Sequence, residues 1–138
     1  MSMFRIFDVA SSGMTAQSTR LNVTASNVAN AESVGTTPDS VYKARHPVFA
    51  AVRDQQLMQQ SEITKVRVSD IIEDQTAGRQ RYQPGHPMAN DDGYIFASNV
   101  NPVEEMVNML SASRSYESNI EMMNTAKQLL IRTISLGQ

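Results

Sequence analysis

The sequence contains no cysteine. That removes a disulfide framework, a thiolate nucleophile and any cysteine-ligated zinc site, and it suits a reducing or an oxidising compartment equally. A dominant charge is also missing. Its 12 basic and 14 acidic residues are interspersed and give a formal net charge of -2, so no basic stripe marks the chain for nucleic acid or anionic lipid. There is no long hydrophobic run either. The opening "MSMFRIFDVASSGM" has Arg5 and Asp8 interrupting its apolar residues, which argues against a secretory signal and a membrane span. Any export is therefore expected to proceed without signal cleavage.

Catalytic patterns are equally thin. His46 and His86 are the only histidines, and each precedes a proline, a setting that reads as extended or turn backbone rather than a metal ligand. "NDDG" at Asn90 to Gly93 opens like a calcium loop, but counting twelve residues from Asn90 or Asp91 ends on Asn101 or Pro102 instead of the required glutamate. A β-turn is the better reading. "SVYK" at Ser40 to Lys43 has Ser-x-x-Lys spacing without its partner motifs, and no nucleophile elbow, phosphate-binding glycine loop or dinucleotide fingerprint occurs. Glu104 with Glu105, and Glu73 with Asp74, are adjacent acidic pairs that would not face one another on a helix. "NVT" at Asn22 matches a glycosylation acceptor only formally. These features predict a protein that is not an enzyme, with no cofactor, metal or small-molecule substrate.

With 138 residues, the chain is the size of one domain, and its composition divides it into three. Residues 1–34 carry only Arg5, Asp8, Arg20 and Glu32 as charges, and half of Ser11 to Asn30 is Ser, Thr or Asn. There Phe7, Met14, Leu21 and Val28 recur every seventh residue, predicting one long helix with a narrow coiled-coil-like seam that ends near Val34-Gly35. About thirty helical residues would span roughly 45 Å.

Residues 102–138 open with a capping Asn101, Pro102 at the first helical position and Glu104 where a capping-box carboxylate would sit. A stripe follows through Met106, Met109, Leu110, Ser113, Tyr116, Ile120, Met123, Lys127, Leu130 and Ile134. Between the helices, residues 35–101 hold four of the five prolines and short runs rich in β-branched and aromatic residues: "YKARHPVFAAVRD", "ITKVRVSDII", "RQRYQP" and "DDGYIFAS". They predict a small β-rich insert, with Thr64, Val66, Val68 and Ile72 on one strand face and Lys65 and Arg67 on the other. The expected fold class is α+β, with long N- and C-terminal helices forming a coiled-coil-like core around a small central insert.

Ser, Thr and Asn each cost several tenths of a kcal/mol in a helix relative to Ala, so ten of them between Ser11 and Asn30 forgo roughly 4 to 6 kcal/mol. Alone, the first helix would be marginal. Burying its seam reverses that balance, and Ser11, Ser18 and Ser26 would allow close approach. The terminal segments can pair in parallel or antiparallel fashion, and a seam only partly buried within one chain would leave apolar surface for neighbouring subunits.

"SSGMTAQSTRLNVTASNVANAESV" and "NPVEEMVNMLSASRSYESNIEMMNTAKQLLIRTISLGQ" resemble the paired terminal signatures of the bacterial flagellar axial proteins. "YQPGHPMANDDGYIFASNVNPVEEMV" and the ending "TISLGQ" are more discriminating. In the wider family Asn-x-Ala-Asn leads shortly to Thr-x-Gly-Tyr, whereas here "AESVGTTPDSVYKARHPVF" displaces the aromatic to Tyr42, a departure that is similar to the proximal-rod pattern. The resemblance implies a structural subunit of the basal-body proximal rod, exported by the flagellar type III apparatus, assembled in the periplasm and transmitting torque. Its partners would be other proximal rod subunits and copies of itself. Residues 1–34 and 102–138 would be axial helices and 35–101 the outer insert. Seam position and family motif together select Phe7, Met14, Leu21, Asn27, Asn30, Leu110, Tyr116, Ile120, Met123, Leu130 and Ile134 as the assembly interface. The competing readings are a coiled-coil adaptor or another filament-forming interaction protein unconnected with motility, and a peptidoglycan-acting enzyme, which would need a catalytic acid in a cleft.

Overall fold

A computed structural model of the chain describes residues 3–53 and 64–136. Helix α1 (Met3–Ala29) and helix α2 (Pro102–Leu136) lie at the two ends of the chain. Between them come strands β1 (Val34–Gly35), β2 (Arg45–Arg53), β3 (Thr64–Glu73), β4 (Gln80–Tyr82) and β5 (Tyr94–Ala97). The fold is therefore α+β with long terminal helices, and each of the four expected strand segments contributes a strand.

Several hydroxyls of α1 fold back onto their own helix. Thr15 Oγ1 donates to the Ser11 carbonyl, Thr19 Oγ1 to Thr15, Thr24 Oγ1 to Arg20 and Leu21, and Ser26 Oγ to Asn22. Hydroxyls satisfied in this way do not stand out from the helix, although such back-bonding adds nothing to its intrinsic stability. Packing supplies the stability instead. The helix stops at Ala29, short of the expected Val34-Gly35. The Asn30 amide is shared between the Ser26 and Asn27 carbonyls, Ala31 N–H bonds Val28, and Ser33 N–H bonds Asn30, so the last turn tightens and unwinds. Val34 and Gly35 gain a different ladder, pairing with Ala97 and Phe96 of β5.

The start of α2 follows the sequence signal. Asn101 Oδ1 accepts from the Val103 amide at 3.2 Å, and the Asn101 carbonyl accepts from Glu105 N–H at 3.0 Å. The two helices run antiparallel, since Gly13 lies against Asn119 while Asn27 bonds Glu105. Their buried line corrects the predicted seam. It consists of Ala10, Thr24 and Asn27 on α1 and of Glu105, Ala112 and Ala126 on α2, while Ala16 and Val23 are buried on the side of α1 that faces the β2–β3 strands. Phe7, Met14, Leu21 and Val28 are only half-buried along a flank, and Ser11, Ser18, Ala25 and Ser26 are exposed. The physical reason is size: the facing positions are taken by Gly, Ala and short polar residues, which permit close helix approach, and the larger side chains are displaced to the edges.

β2 and β3 form an antiparallel ribbon along α1, and β1, β5 and β4 form a separate sheet in that order. The ribbon departs from the expected one-sided strand. Its register shifts between Val48, opposite Asp70, and Phe49, opposite Val68. The extra residue, Ser69, puts Ile72 out of phase with Val66 and Val68. Val66, Ile71 and Ile72 are exposed while Lys65 is half-buried. Lys65 Nζ lies 3.4 Å from Asp8, and the Val66 amide donates to Ser12 Oγ at 3.3 Å, tying β3 to α1. In the "NDDG" segment, Asn90 Oδ1 accepts from the amides of Asp92 and Tyr94, and Gly93 takes a φ of 78°, completing the predicted turn ahead of β5.

A Cβ at Gly13 would sit 3.0 Å from Asn119 Nδ2, whose own donor bond goes to the Ser115 carbonyl. Gly13→Leu is expected to push the helices apart and cost about 1–3 kcal/mol, read as a lower midpoint in thermal unfolding. An unchanged midpoint would mean that the helices are not in close contact there.

Candidate assembly surface

Where α1, α2 and β2 meet, Asn27 is fully buried at 0% exposure. Its carboxamide uses every hydrogen-bonding position available to it. Nδ2 donates to the Arg45 carbonyl at 2.8 Å and to Glu105 Oε2 at 2.9 Å, while Oδ1 accepts from Tyr42 Oη at 2.8 Å and from the Arg45 amide at 3.0 Å. Glu105, only 3% exposed, accepts on its other oxygen from Asn108 Nδ2 at 3.3 Å, and Asn108 Oδ1 accepts from Arg20 at 3.4 Å. On the far side, Arg45 stacks over the Tyr42 ring at 5.5 Å and bonds Glu73 through Nε and Nη2. One chain of polar contacts thus runs from both helices to the base of the ribbon. A second carboxamide works alongside it: Asn99 Oδ1 accepts from the Ala44 amide at 2.7 Å, and its Nδ2 donates to the Asp74 and Thr76 carbonyls.

Burial pushes the Tyr42 phenol above its ordinary value; Arg45 pulls it down, and Glu105 and Glu73 push it up further. The capping box expected at Glu104 is not where the carboxylate chemistry lies. Glu104 is exposed and its neighbour Glu105 is the buried acceptor. The sequence reading missed this role of Glu105, and also Tyr42, Arg45 and Asn99. The only available signal was a strict heptad of Glu105, Ala112, Asn119 and Ala126, which large-apolar periodicity does not register.

Outside this core, many large apolar side chains face water. Val103, Met106, Val107 and Leu110 at the start of α2, and Leu129, Ile131 and Ile134 near its end, are each more than half exposed. Among the residues selected from the sequence, Leu110, Ile120 and Ile134 lie on exposed surface; Phe7, Met14, Leu21, Tyr116, Met123 and Leu130 are half-buried on the flanks of the helix pair. Asn30 is half-buried and donates to the Ser26 carbonyl. Asn27 is enclosed within its own chain, so its side chain is not available to a neighbour in this conformation. The exposed stripe on α2 also includes Val103 and Val107, which lie off the expected line.

Two family models match the helical ends. One described as "Flagella basal body rod protein" covers residues 7–35, and one described as "Flagellar basal body rod FlgEFG protein C-terminal" covers residues 91–136. Relatives named "Flagellar basal-body rod protein FlgC" are 46% identical in Yersinia enterocolitica and 44% identical in Escherichia coli O157:H7 and Salmonella typhimurium. Each match runs over 138 residues and the whole of both chains.

Two substitutions test the polar core. Asn27→Ala leaves Glu105 and the Arg45 and Tyr42 partners unsatisfied and is expected to cost roughly 3–5 kcal/mol in denaturant unfolding. A loss below about 1 kcal/mol would contradict the network. Tyr42→Phe is expected to cost about 1–2 kcal/mol at neutral pH. Because the folded-state value of Tyr42 is raised, its contribution is fully present below the ordinary tyrosine value of about 10 and is lost as pH rises through the folded value. The stability gap between wild type and Tyr42→Phe should therefore close in strong alkali, and a gap that persists there would contradict this environment.

Proposed function

This chain belongs to the FlgC family of flagellar basal-body rod proteins, and we propose that it serves as a structural subunit of the rod by presenting the outer faces of its paired helices to neighbouring subunits. The observation that carries this reading is the run of exposed apolar residues Val103, Met106, Val107 and Leu110 on α2. They follow i, i+3, i+4, i+7 spacing, the pattern of a helix face that expects a partner. Each such side chain contributes about 1.5–3 kcal/mol when fully removed from water.

In this reading residues 1–34 and 102–138 are the axial parts of the subunit and 35–101 the outer insert. Its neighbours are other proximal rod subunits and copies of itself. Phe7, Met14, Leu21, Tyr116, Ile120, Met123, Leu130 and Ile134 join Leu110 at or beside those contacts, while Asn27 and Asn30 act indirectly, by holding the end of α1. The subunit reaches the periplasmic rod through the flagellar type III export apparatus without signal cleavage, and carries torque as part of the shaft rather than by any chemistry.

Deleting the gene from its native cell is expected to leave cells without a rod and non-motile, with motility restored by the wild-type chain. Leu110→Asp is expected to fold with an unchanged circular dichroism spectrum yet fail to restore motility. Full motility with Leu110→Asp would remove the α2 face from the interface.

A further inference from the structure

The two outer edges of the β2–β3 ribbon are treated differently. On β3 the Val66 amide points away from β2 and donates to Ser12 Oγ of α1 at 3.3 Å, and the Ile71 amide donates to Asp70 Oδ1 at 2.8 Å. Residues opposite one another in an antiparallel pair exchange both ladder bonds or neither. Ala51, opposite Val66, therefore turns its N–H and C=O outward, and so do Phe49 and Arg53, two residues to either side. The base of that edge is already closed: the Arg45 amide and carbonyl both bond the Asn27 carboxamide, and Pro47 has no N–H to offer. Over residues 49–53 the outward groups take no partner among the described residues. Proteins usually blunt such an edge with charge, proline or a bulge, because it templates pairing with another chain. Here Pro47 and Arg53 bound an uncharged run, residues 48–52, in which Val48, Phe49 and Val52 are exposed. One more strand would give this run backbone bonds and cover its apolar side chains.

We propose that the outer edge of β2, over residues 49–53, takes an extended acidic segment of a partner protein as a third strand of the ribbon. Charge selects this occupant. The charged residues on the outer half of the ribbon, residues 48–53 and 64–68, are Arg53, Lys65 and Arg67, with no acid among them. Lys65 is matched by Asp8, whereas Arg53 and Arg67 make no ion pair with a described residue. A second copy of β2 would bring Arg45, His46 and Arg53 and no carboxylate, adding to the positive charge instead of balancing it. The pleat sets the pattern that fits. Phe49, Ala51 and Arg53 share one face, so the incoming strand places an apolar side chain beside Phe49 and a carboxylate beside Arg53, with Ala51 leaving room between them for a large residue.

The test uses the full chain and two synthetic peptides of about ten β-forming residues. One carries valine and glutamate at the positions that meet Phe49 and Arg53, and the other has lysine in place of the glutamate. Fluorescence anisotropy should show the acidic peptide binding several-fold more tightly than the basic one. Methylating the edge amides of the acidic peptide, which leaves its side chains in place, should abolish binding. In hydrogen exchange the amides of Phe49, Ala51 and Arg53 should slow several-fold with the acidic peptide bound. Arg53→Glu is expected to weaken the acidic peptide about tenfold and to favour the basic one. Ala51→Pro removes an outward N–H without touching the ladder to β3, so it should weaken both peptides with an unchanged circular dichroism spectrum. No binding of the acidic peptide, undiminished binding after methylation, or an unaltered charge preference in Arg53→Glu would overturn the proposal. Slowing of the same amides when the chain alone is concentrated would overturn it in favour of a second copy.

Discussion

The Asn27 carboxamide is the point on which the arrangement depends. It is buried with two donors and two acceptors all engaged, and its four partners belong to α2, to Tyr42 and to the entry of β2. A buried polar group of this kind is stabilising only when fully paired, because any partner lost leaves desolvated atoms behind. The same condition makes it selective. Sliding α1 along α2 or tilting the ribbon would break several bonds at once, so the network specifies one register where a contact of Gly and Ala alone would tolerate several. Glu105 adds a buried carboxylate, held by Asn27 and Asn108, with the Arg20 guanidinium beyond Asn108; burying it is tolerable because its oxygens keep hydrogen bonds.

Around this point the usual distribution of side chains is inverted. Small residues such as Ala10, Ala16, Ala112 and Ala126 are buried, while Val103, Met106, Val107, Leu110 and Ile134 face water. The chain thereby acquires a defined internal register from polar bonds and close packing while leaving many of its large apolar side chains uncovered. A subunit built this way gains comparatively little from folding alone and more from meeting neighbours, which suits a structural subunit of a rod. The Ser- and Thr-rich composition of α1 works in the same direction, since hydroxyls bonded to their own helix leave its stability to packing.

The sequence was informative where one local signal decides the outcome. Asn101-Pro102 opened α2, "NDDG" made its turn before β5, and β-branched runs became strands. It misled where periodicity had to choose among faces. The seventh-residue line of Phe7, Met14, Leu21 and Val28 is conspicuous because its members are large, yet the contact line runs through small residues one helical step away. In β3 a single extra residue at Ser69 reset an alternation that looked regular. The end of α1 depended on Val34 and Gly35 pairing with β5, more than sixty residues later, which no local window contains. Asn27 was selected through its motif, but its enclosure inside the chain rests on contacts with Tyr42, Arg45 and Glu105 that only the tertiary fold brings together.

The chain folds on small and polar contacts and leaves Val103, Met106, Val107 and Leu110 of α2 exposed, the face that the proposed function gives to neighbours. Oxidative footprinting of the methionines, compared between the isolated chain and assembled rods, tests it most directly. Met106 should be readily oxidised in the isolated chain, more so than the half-buried Met109 and Met123, and protected at least several-fold in the rod. Equal reactivity of Met106 in both states would contradict the account.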